Sequence, residues 1–287
     1  MKLSTVRLNA KNGETFTLYP IGDVHLGSAN CDKHLFWDTI DEVRTNPNAR
    51  WIGMGDYAEW IGPRDKRWEA GGVDEMIINL ACLDRIGDVY VEKIADMLRP
   101  IMDKCWGMGD GNHEQRFNEQ GTNLTARIIQ AAGGPGSLYL GWESIIRVVF
   151  SVGSGKEEHA SHIPVRISCA HGWQAGRMDG GKVNQMEKLL AWIDADIYLR
   201  GHSHSKFVVP VTRLRTNQQF TKMIAHTCYV AMTGSFLRTY QQDAIGYGER
   251  AEYPPTTMGT PRFTLTPHRT DPGAGKKVFE VAIGAIQ

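Results

Sequence analysis

Short apolar runs, each closing on a glycine followed by a polar residue, recur along this chain. Residues 3–8 and 14–19 alternate on either side of Asn12-Gly13, which predicts two strands joined as a hairpin. The second run leads through Tyr19-Pro20-Ile21-Gly22 to Asp23-Val24-His25-Leu26-Gly27. Residues 32–46 predict a helix, with Asp32 as N-cap and Pro47 beyond its end. A second short strand, from Arg50 to Gly55, reaches Asp56, and a third over 104–109 reaches Gly111-Asn112-His113-Glu114. Between them Met76, Leu80, Leu83, Tyr90, Ile94 and Met97 follow helical spacing over 75–98, with a stop at Pro100. A short helix over 122–132 ends at Gly133-Gly134-Pro135-Gly136.

From residue 138 the pattern turns to strands, at 138–140, 144–152 and 165–170, the last opening onto His171-Gly172. The segment 153–162 reads as a polar loop in which His159 and His162 face solvent. A helix over 182–194 carries Val183, Met186, Leu190 and Ile193 on one face, and the strand Ala195–Leu199 leads into Arg200-Gly201-His202-Ser203-His204. Residues 206–213, 222–233 and 277–285 predict further strands, whereas 246–275, rich in Pro, Gly and Thr, predicts long surface loops. No repeat, low-complexity linker or shift in composition divides the chain, so residues 1–287 are expected to form a single domain.

Composition narrows the class. With 287 residues and 41% hydrophobic content the chain can bury one large core. Lys and Arg number 32, as do Asp and Glu, so no global field draws it to nucleic acid or an anionic membrane. Five widely spaced cysteines without a C-x-x-C pair point to reduced thiols in a cytoplasmic setting, not a disulfide scaffold. No apolar h-region follows Met1–Arg7, and no apolar run nears the roughly 20 residues of a membrane span. A cytoplasmic protein without membrane association is expected.

The chemistry gathers at the ends of the predicted strands: Asp23, His25, Asp56, Asn112, His113, His171, His202 and His204. In α/β sheets the carboxyl ends of strands are where sites are assembled. Asn112 and His113 pack poorly as structure and carry unpaired polar atoms, but beside a cation Asn offers a carbonyl oxygen and His an imidazole. Asp23 and His25 stand two apart, which puts them on one face if strand geometry persists. The loop from Trp60 to Gly72 holds Arg64, Lys66, Arg67 and Trp68, which reads either as solvated surface or as a grip on a phosphate backbone with a stacking indole.

This order of residues resembles the calcineurin-like metallophosphoesterase family, whose signature is D-x-H, G-D, G-N-H-[DE], a lone H and G-H-x-H. Here those elements are Asp23-Val24-His25, Gly55-Asp56, Gly111-Asn112-His113-Glu114, His171 and Gly201-His202-Ser203-His204, spread over residues 23–204. The resemblance implies an α/β sandwich of two mixed β-sheets flanked by helices, with a two-metal centre. One metal would be held by Asp23, His25 and His204, the other by Asn112, His171 and His202, with Asp56 bridging. Two divalent cations about 4 Å apart repel one another, and an anionic bridge offsets that repulsion. His, Asp and Asn donors suit Mn²⁺, Fe or Zn²⁺ without choosing among them, and two divalent ions, Mn²⁺ first, are expected.

His113 is not needed as a ligand in that scheme and is free to donate a proton to a leaving oxygen. In the protein-phosphatase branch an acid three residues after the bridging Asp orients this His. The position is Glu59 here, and Trp60 stands where that branch has an Arg. The run Asp23-Val24-His25-Leu26-Gly27 is similar to the nuclease branch that serves double-strand-break repair. The reading is therefore a two-metal phosphodiesterase or nuclease acting on nucleic acid or oligonucleotides. Phosphomonoester or nucleotide (pyro)phosphate hydrolysis is the alternative, and an inactive binding scaffold of the same fold is the alternative of another class. A scaffold is expected to have lost ligands or the proton donor, and no motif position is missing here.

Overall fold

The computed structural model describes residues 1–60, 85–118, 121–152, 161–172, 176–216, 220–241, 247–270 and 278–286. Two six-stranded mixed sheets lie face to face. The first has the order β1-β6-β7-β8-β10-β9, built from Lys2–Ala10, Glu143–Val152, Ser161–Ala170, Ile197–Arg200, Met223–Thr233 and Lys206–Thr216. The second runs β12-β11-β2-β3-β4-β5, from Val278–Ile286, Arg262–Thr270, Phe16–Ile21, Ala49–Gly53, Cys105–Gly109 and Tyr139–Gly141. Helices α1 (Lys33–Thr45), α2 (Ile86–Leu98) and α3 (Leu124–Ala131) cover the outer face of the second sheet, and α4 (Asp179–Lys188) that of the first. The fold is thus a sandwich of two mixed sheets flanked by helices.

Period-two burial explains the layering. In β2, Phe16 and Leu18 face the other sheet while Tyr19 and Ile21 face the helices, and in β3 Ile52 and Trp51 divide in the same way. Both faces are covered, so these central parallel strands read as nearly continuous apolar runs. Asp32 caps α1 by accepting the Leu35 amide at 3.0 Å. Pro100 ends α2 without ending helical structure, because Arg99–Lys104 continues as a 3-10 segment.

Several expectations are corrected. β1 and β2 do not form a hairpin: β1 pairs with β6 in one sheet, and β2 with β3 and β11 in the other. Val6, Leu8 and Ala10 meet Phe16 and Leu18 across the same inter-sheet core, so the chain folds face to face at Asn12-Gly13 instead of edge to edge. The turn is tied to β11 instead, with the Gly13 amide on the Pro267 carbonyl at 2.9 Å. β11 itself occupies part of the stretch expected as loops. Phe263 and Leu265 alternate into the core, and Pro267 is tolerated because β2 pairs only with residues 263–265. β7 also begins earlier than expected, with His162 opposite Ser151, so 161–162 belong to the sheet and not to a loop. The first part of the helix expected over 75–98, the basic loop with Arg64, Lys66, Arg67 and Trp68, and His159 lie outside the described residues. Among the described residues no helix is long and apolar enough to cross a membrane.

Parallel pairing of β2, β3 and β4, and of β7, β8 and β10, sends the carboxyl ends of both sets to one end of the sandwich. That end holds the polar residues.

Candidate metal centre

Each strand releases its polar residues through a sharp loop. Asp23, His25, Asp56, Trp60, His202 and His204 have φ between 48° and 67°, a left-handed region that L side chains seldom adopt. Among the described residues only Phe220 and Glu252 join them outside these loops. Asp23 and His25 therefore share a site through a left-handed loop, not through persisting strand geometry. Such strain costs about 1–3 kcal/mol per residue and gathers where function requires it. The loops also approach too closely for side chains. A Cβ on Gly111 would stand 2.1 Å from Asp56 Oδ1, and one on Gly201 would stand 2.6 Å from Asp23 Oδ2.

Two sets of donor atoms result. In the first, His25 Nε2 lies 3.1 Å from His204 Nε2, and His204 Nε2 lies 3.4 Å from Asp23 Oδ1. In the second, Asn112 Oδ1 lies 3.0 Å from His171 Nε2 and 2.8 Å from His202 Nδ1, with those two nitrogens 3.3 Å apart. Asp56 Oδ2 stands 3.8 Å from His25 Nε2 and 3.2 Å from His171 Nε2, so a single oxygen borders both sets. The other oxygen, Oδ1, accepts the His113 amide at 3.0 Å. Asp23 is held by the His202 amide, 3.0 Å from Oδ2.

The tautomers follow from what faces each ring. His171 Nδ1 donates to the Met54 carbonyl at 2.9 Å, and His25 Nδ1 donates to the Glu59 carboxylate at 2.8 Å. Each Nε2 therefore turns a lone pair inward, against carboxylate, amide and imidazole acceptors at about 3–4 Å. Acceptors crowded on acceptors repel unless positive charge lies among them. A proton on Nε2 of His171 meets the same demand in place of a cation. Burial favours neutral His171, but Asp56 and then Asp23 overcome it and push the imidazole up to about 10. Burial would raise Asp56, yet His171, His113 and His25 hold it well below the ordinary carboxylate range.

The donors fit a metal pair. Cations about 2.1 Å from each donor place neighbouring donors ~3.0 Å apart at right angles and ~3.4 Å apart in a tetrahedron. Most of the contacts above lie close to that window, while His25 Nε2 stands outside it from Asp56 Oδ2, at 3.8 Å, and from Asp23 Oδ1, at 4.0 Å. Asp23, His25 and His204 form one group able to hold an ion, Asp56, His171 and His202 another, and His25, Glu59 and His113 a third that shares His25 with the first. Second partners such as Met54 and Glu59 fix ring orientation in metal sites generally.

Glu59 differs from its expected placement. Its carboxylate binds His25, whereas His113 Nδ1 donates at 2.8 Å to the Glu59 backbone carbonyl. This leaves Nε2 of His113 as the atom that gains or loses a second proton. Burial opposes protonation of His113, but Asp56 and Glu59 outweigh it and raise the group. The ring is buried and stands edge-on to His25, with centroids 4.9 Å apart.

Two further supports lie outside the donor sets. Ser235 Oγ and the Phe236 amide both donate to the Asp23 carbonyl, at 2.8 and 3.0 Å, so the stretch after β10 braces the first loop. Glu114 is wholly buried and gathers backbone amides from the loops after β3 and β4. Burial, then the Asp56 charge, push its carboxyl up to about 6.

No family model and no curated protein matches this chain. Among solved structures it is similar to zinc-complexed Vps29 from Entamoeba histolytica, at 12% identity and a TM-score of 0.35, covering 93% of this chain and 99% of that one. A predicted phosphoesterase from Streptococcus pneumoniae TIGR4 aligns at 14% identity and a TM-score of 0.32, over 93% of this chain and 99% of that one. A metallophosphoesterase from Sphaerobacter thermophilus aligns at 10% identity and 0.32, over 93% and 88% of the two chains. Similarity this low leaves the donor geometry as the ground for a functional reading.

Proposed function

We propose that this protein is a two-metal phosphoester hydrolase, acting as a phosphodiesterase on short or single-stranded nucleic acid. The observation that carries the proposal is the pair of donor sets sharing Asp56 Oδ2. Asp23, His25 and His204 would hold one divalent ion and Asn112, His171 and His202 the other, with Asp56 contributing to both. Manganese, iron and zinc all suit these donors, and manganese is the ion tried first. When bound, such ions supply Lewis-acid polarisation of the phosphoryl oxygens and neutralise developing charge.

The chain's own groups do the remaining work. The Met54 carbonyl and the Glu59 carboxylate hold two imidazoles with Nε2 inward, and the His202 amide fixes Asp23. His113, with Nδ1 committed to the Glu59 carbonyl, moves a proton at Nε2 and protonates the leaving oxygen. Substrate choice lies outside the donor sets. The Leu26-Gly27 continuation favours a nuclease, while a formal net charge of zero disfavours tight binding of long duplex.

The test is a side-by-side assay with Mn²⁺ of labelled single-stranded DNA, duplex DNA and mononucleotides at low and moderate salt. Cleavage of single strands ahead of duplex is expected. Phosphate release from mononucleotides with oligonucleotides intact would move the assignment to a monoesterase. Metal binding without turnover of any phosphoester would move it to a scaffold.

A further inference from the structure

Glu114 makes more contacts with the metal-centre loops than its place at the end of a motif explains. Oε2 accepts the amides of Asp56 and Gly111, each at 2.9 Å, and Oε1 accepts the Tyr57 amide at 2.9 Å and the Trp60 indole N–H at 2.8 Å. A carboxylate offers about four lone-pair sites, so this acceptor is full. Its donors come from two loops, the one after β3 that carries Asp56 and the one after β4 that carries Asn112 and His113. A second link joins the same loops, from the His113 amide to Asp56 Oδ1.

The clip works at very short range. A Cβ on Gly55 would stand 2.4 Å from the Gly111 nitrogen, so the backbones approach closely only because both positions are glycine. Asp56 and Trp60 keep left-handed φ values of 50° and 53°, which persist only where the surroundings over-determine them. Packing alone does not require a charged group here, since burying a carboxylate is costly unless its acceptors are satisfied. What the carboxylate adds is direction: four N–H groups must converge on two oxygens.

We propose that Glu114 is a positioning residue that fixes Asp56 relative to Asn112 and His113, so that Asp56 Oδ2 stays shared between the two donor sets. The proposal rests on the two-metal reading above, but its consequence is the geometry of the pair, which can be read without turnover.

The test uses the full chain with two equivalents of Mn²⁺. Electron paramagnetic resonance reads exchange coupling within the pair, circular dichroism reads folding, and kcat and KM are measured on bis(p-nitrophenyl) phosphate. E114Q keeps the volume but points an amide N–H₂ at donors already present. It should remain folded, lose the coupled spectrum and drop kcat about 10–100-fold, with KM changed far less. E114D keeps the charge on a shorter arm and should give intermediate coupling and kcat. Folded E114Q with the wild-type spectrum and kcat overturns the proposal. So does activity that falls only in step with the folded fraction while the coupled spectrum persists in what remains. If E114Q does not fold, E114D decides: weakened coupling in a folded protein supports the proposal, and unchanged coupling and kcat overturn it. A wild type that shows the coupled pair yet hydrolyses no phosphoester defeats the hydrolase reading alone, and the variants' spectra still judge Glu114. Absence of a coupled pair in the wild type overturns both.

Discussion

His25 and His171 both turn Nε2 inward because Nδ1 is already engaged, yet their partners differ in kind. His171 donates to a backbone carbonyl, that of Met54, and its side chain is wholly shut off from solvent. His25 donates to the Glu59 carboxylate, whose side chain is 17% exposed, and its neighbour His204 is 26% exposed. His171, in the second donor set, is thus braced by main chain inside the sandwich, and His25, in the first, by a side chain nearer its rim. A backbone brace cannot be changed by substitution or titrated, whereas a carboxylate can. The first set is therefore the adjustable one, and ions should exchange there more readily.

The largest effect should come from the residue that both sets share. Asp56→Asn keeps the shape but removes the bridging charge. Its loss of activity should exceed the ~10–100-fold usual for groups that merely orient ligands, and at least one metal should go with it. Elemental analysis and kcat decide this. Two tightly held metals with normal turnover in the variant would end the bridging assignment.

Next in size is His113, which supplies no donor to either set. His113→Ala should retain both metals and slow turnover by roughly 10²–10⁴. The deficit should shrink for substrates with good leaving groups, which need little protonation. An equal loss across good and poor leaving groups would assign His113 to binding instead.

Much of this site was legible in the sequence for a local reason. A short apolar run that reaches glycine and then shows Asp, Asn or His is costly as structure and cheap as a ligand loop, and it recurs at Asp23, Asp56, Asn112 and His202, with the glycine of His171 following it instead. What escaped depends on chain crossings. Asn12-Gly13 carries turn chemistry, but turn chemistry does not say whether the next strand stays in the same sheet. β11 was hidden because Pro267 and its threonines resemble a loop, while the tolerance for that proline lies in where β2 ends. The family resemblance pointed to Glu59 without telling which histidine its carboxylate would reach. Three of the four donors to Glu114 are backbone amides, which have no identity in sequence.

Glu59→Gln tests the contrast between the two sets directly. The amide oxygen can still accept the His25 N–H, but the charge that raises ligand basicity is gone. Metal affinity at one site should fall toward the lower end of the ~10–100-fold range, with the other unchanged. Calorimetric titration with Mn²⁺ resolves the two steps. Equal weakening of both would erase the distinction between a rim brace and a main-chain brace.

The smallest effect is expected at Ser235, which supports the first set from one step further away. Its hydroxyl donates to the Asp23 carbonyl at 2.8 Å and accepts the Leu237 amide at 2.9 Å. In Ser235→Ala the Asp23 carbonyl keeps the Phe236 amide, 3.0 Å away, so the loop loses one of two supports. The Leu237 amide loses its acceptor, but Leu237 is only half-buried and water can reach it, which puts the cost near the ~1 kcal/mol end of the range for an unmade hydrogen bond. At about 2–4 °C per kcal/mol, Tm should fall by a few degrees. Because Asp23 belongs to the first set, Mn²⁺ affinity should drop there, by less than in Glu59→Gln, and hold at the second. An unchanged Tm would show that the hydroxyl does not brace the loop. A lowered Tm with both affinities intact would confine Ser235 to stability and leave Glu59 as the one rim brace acting on the metal.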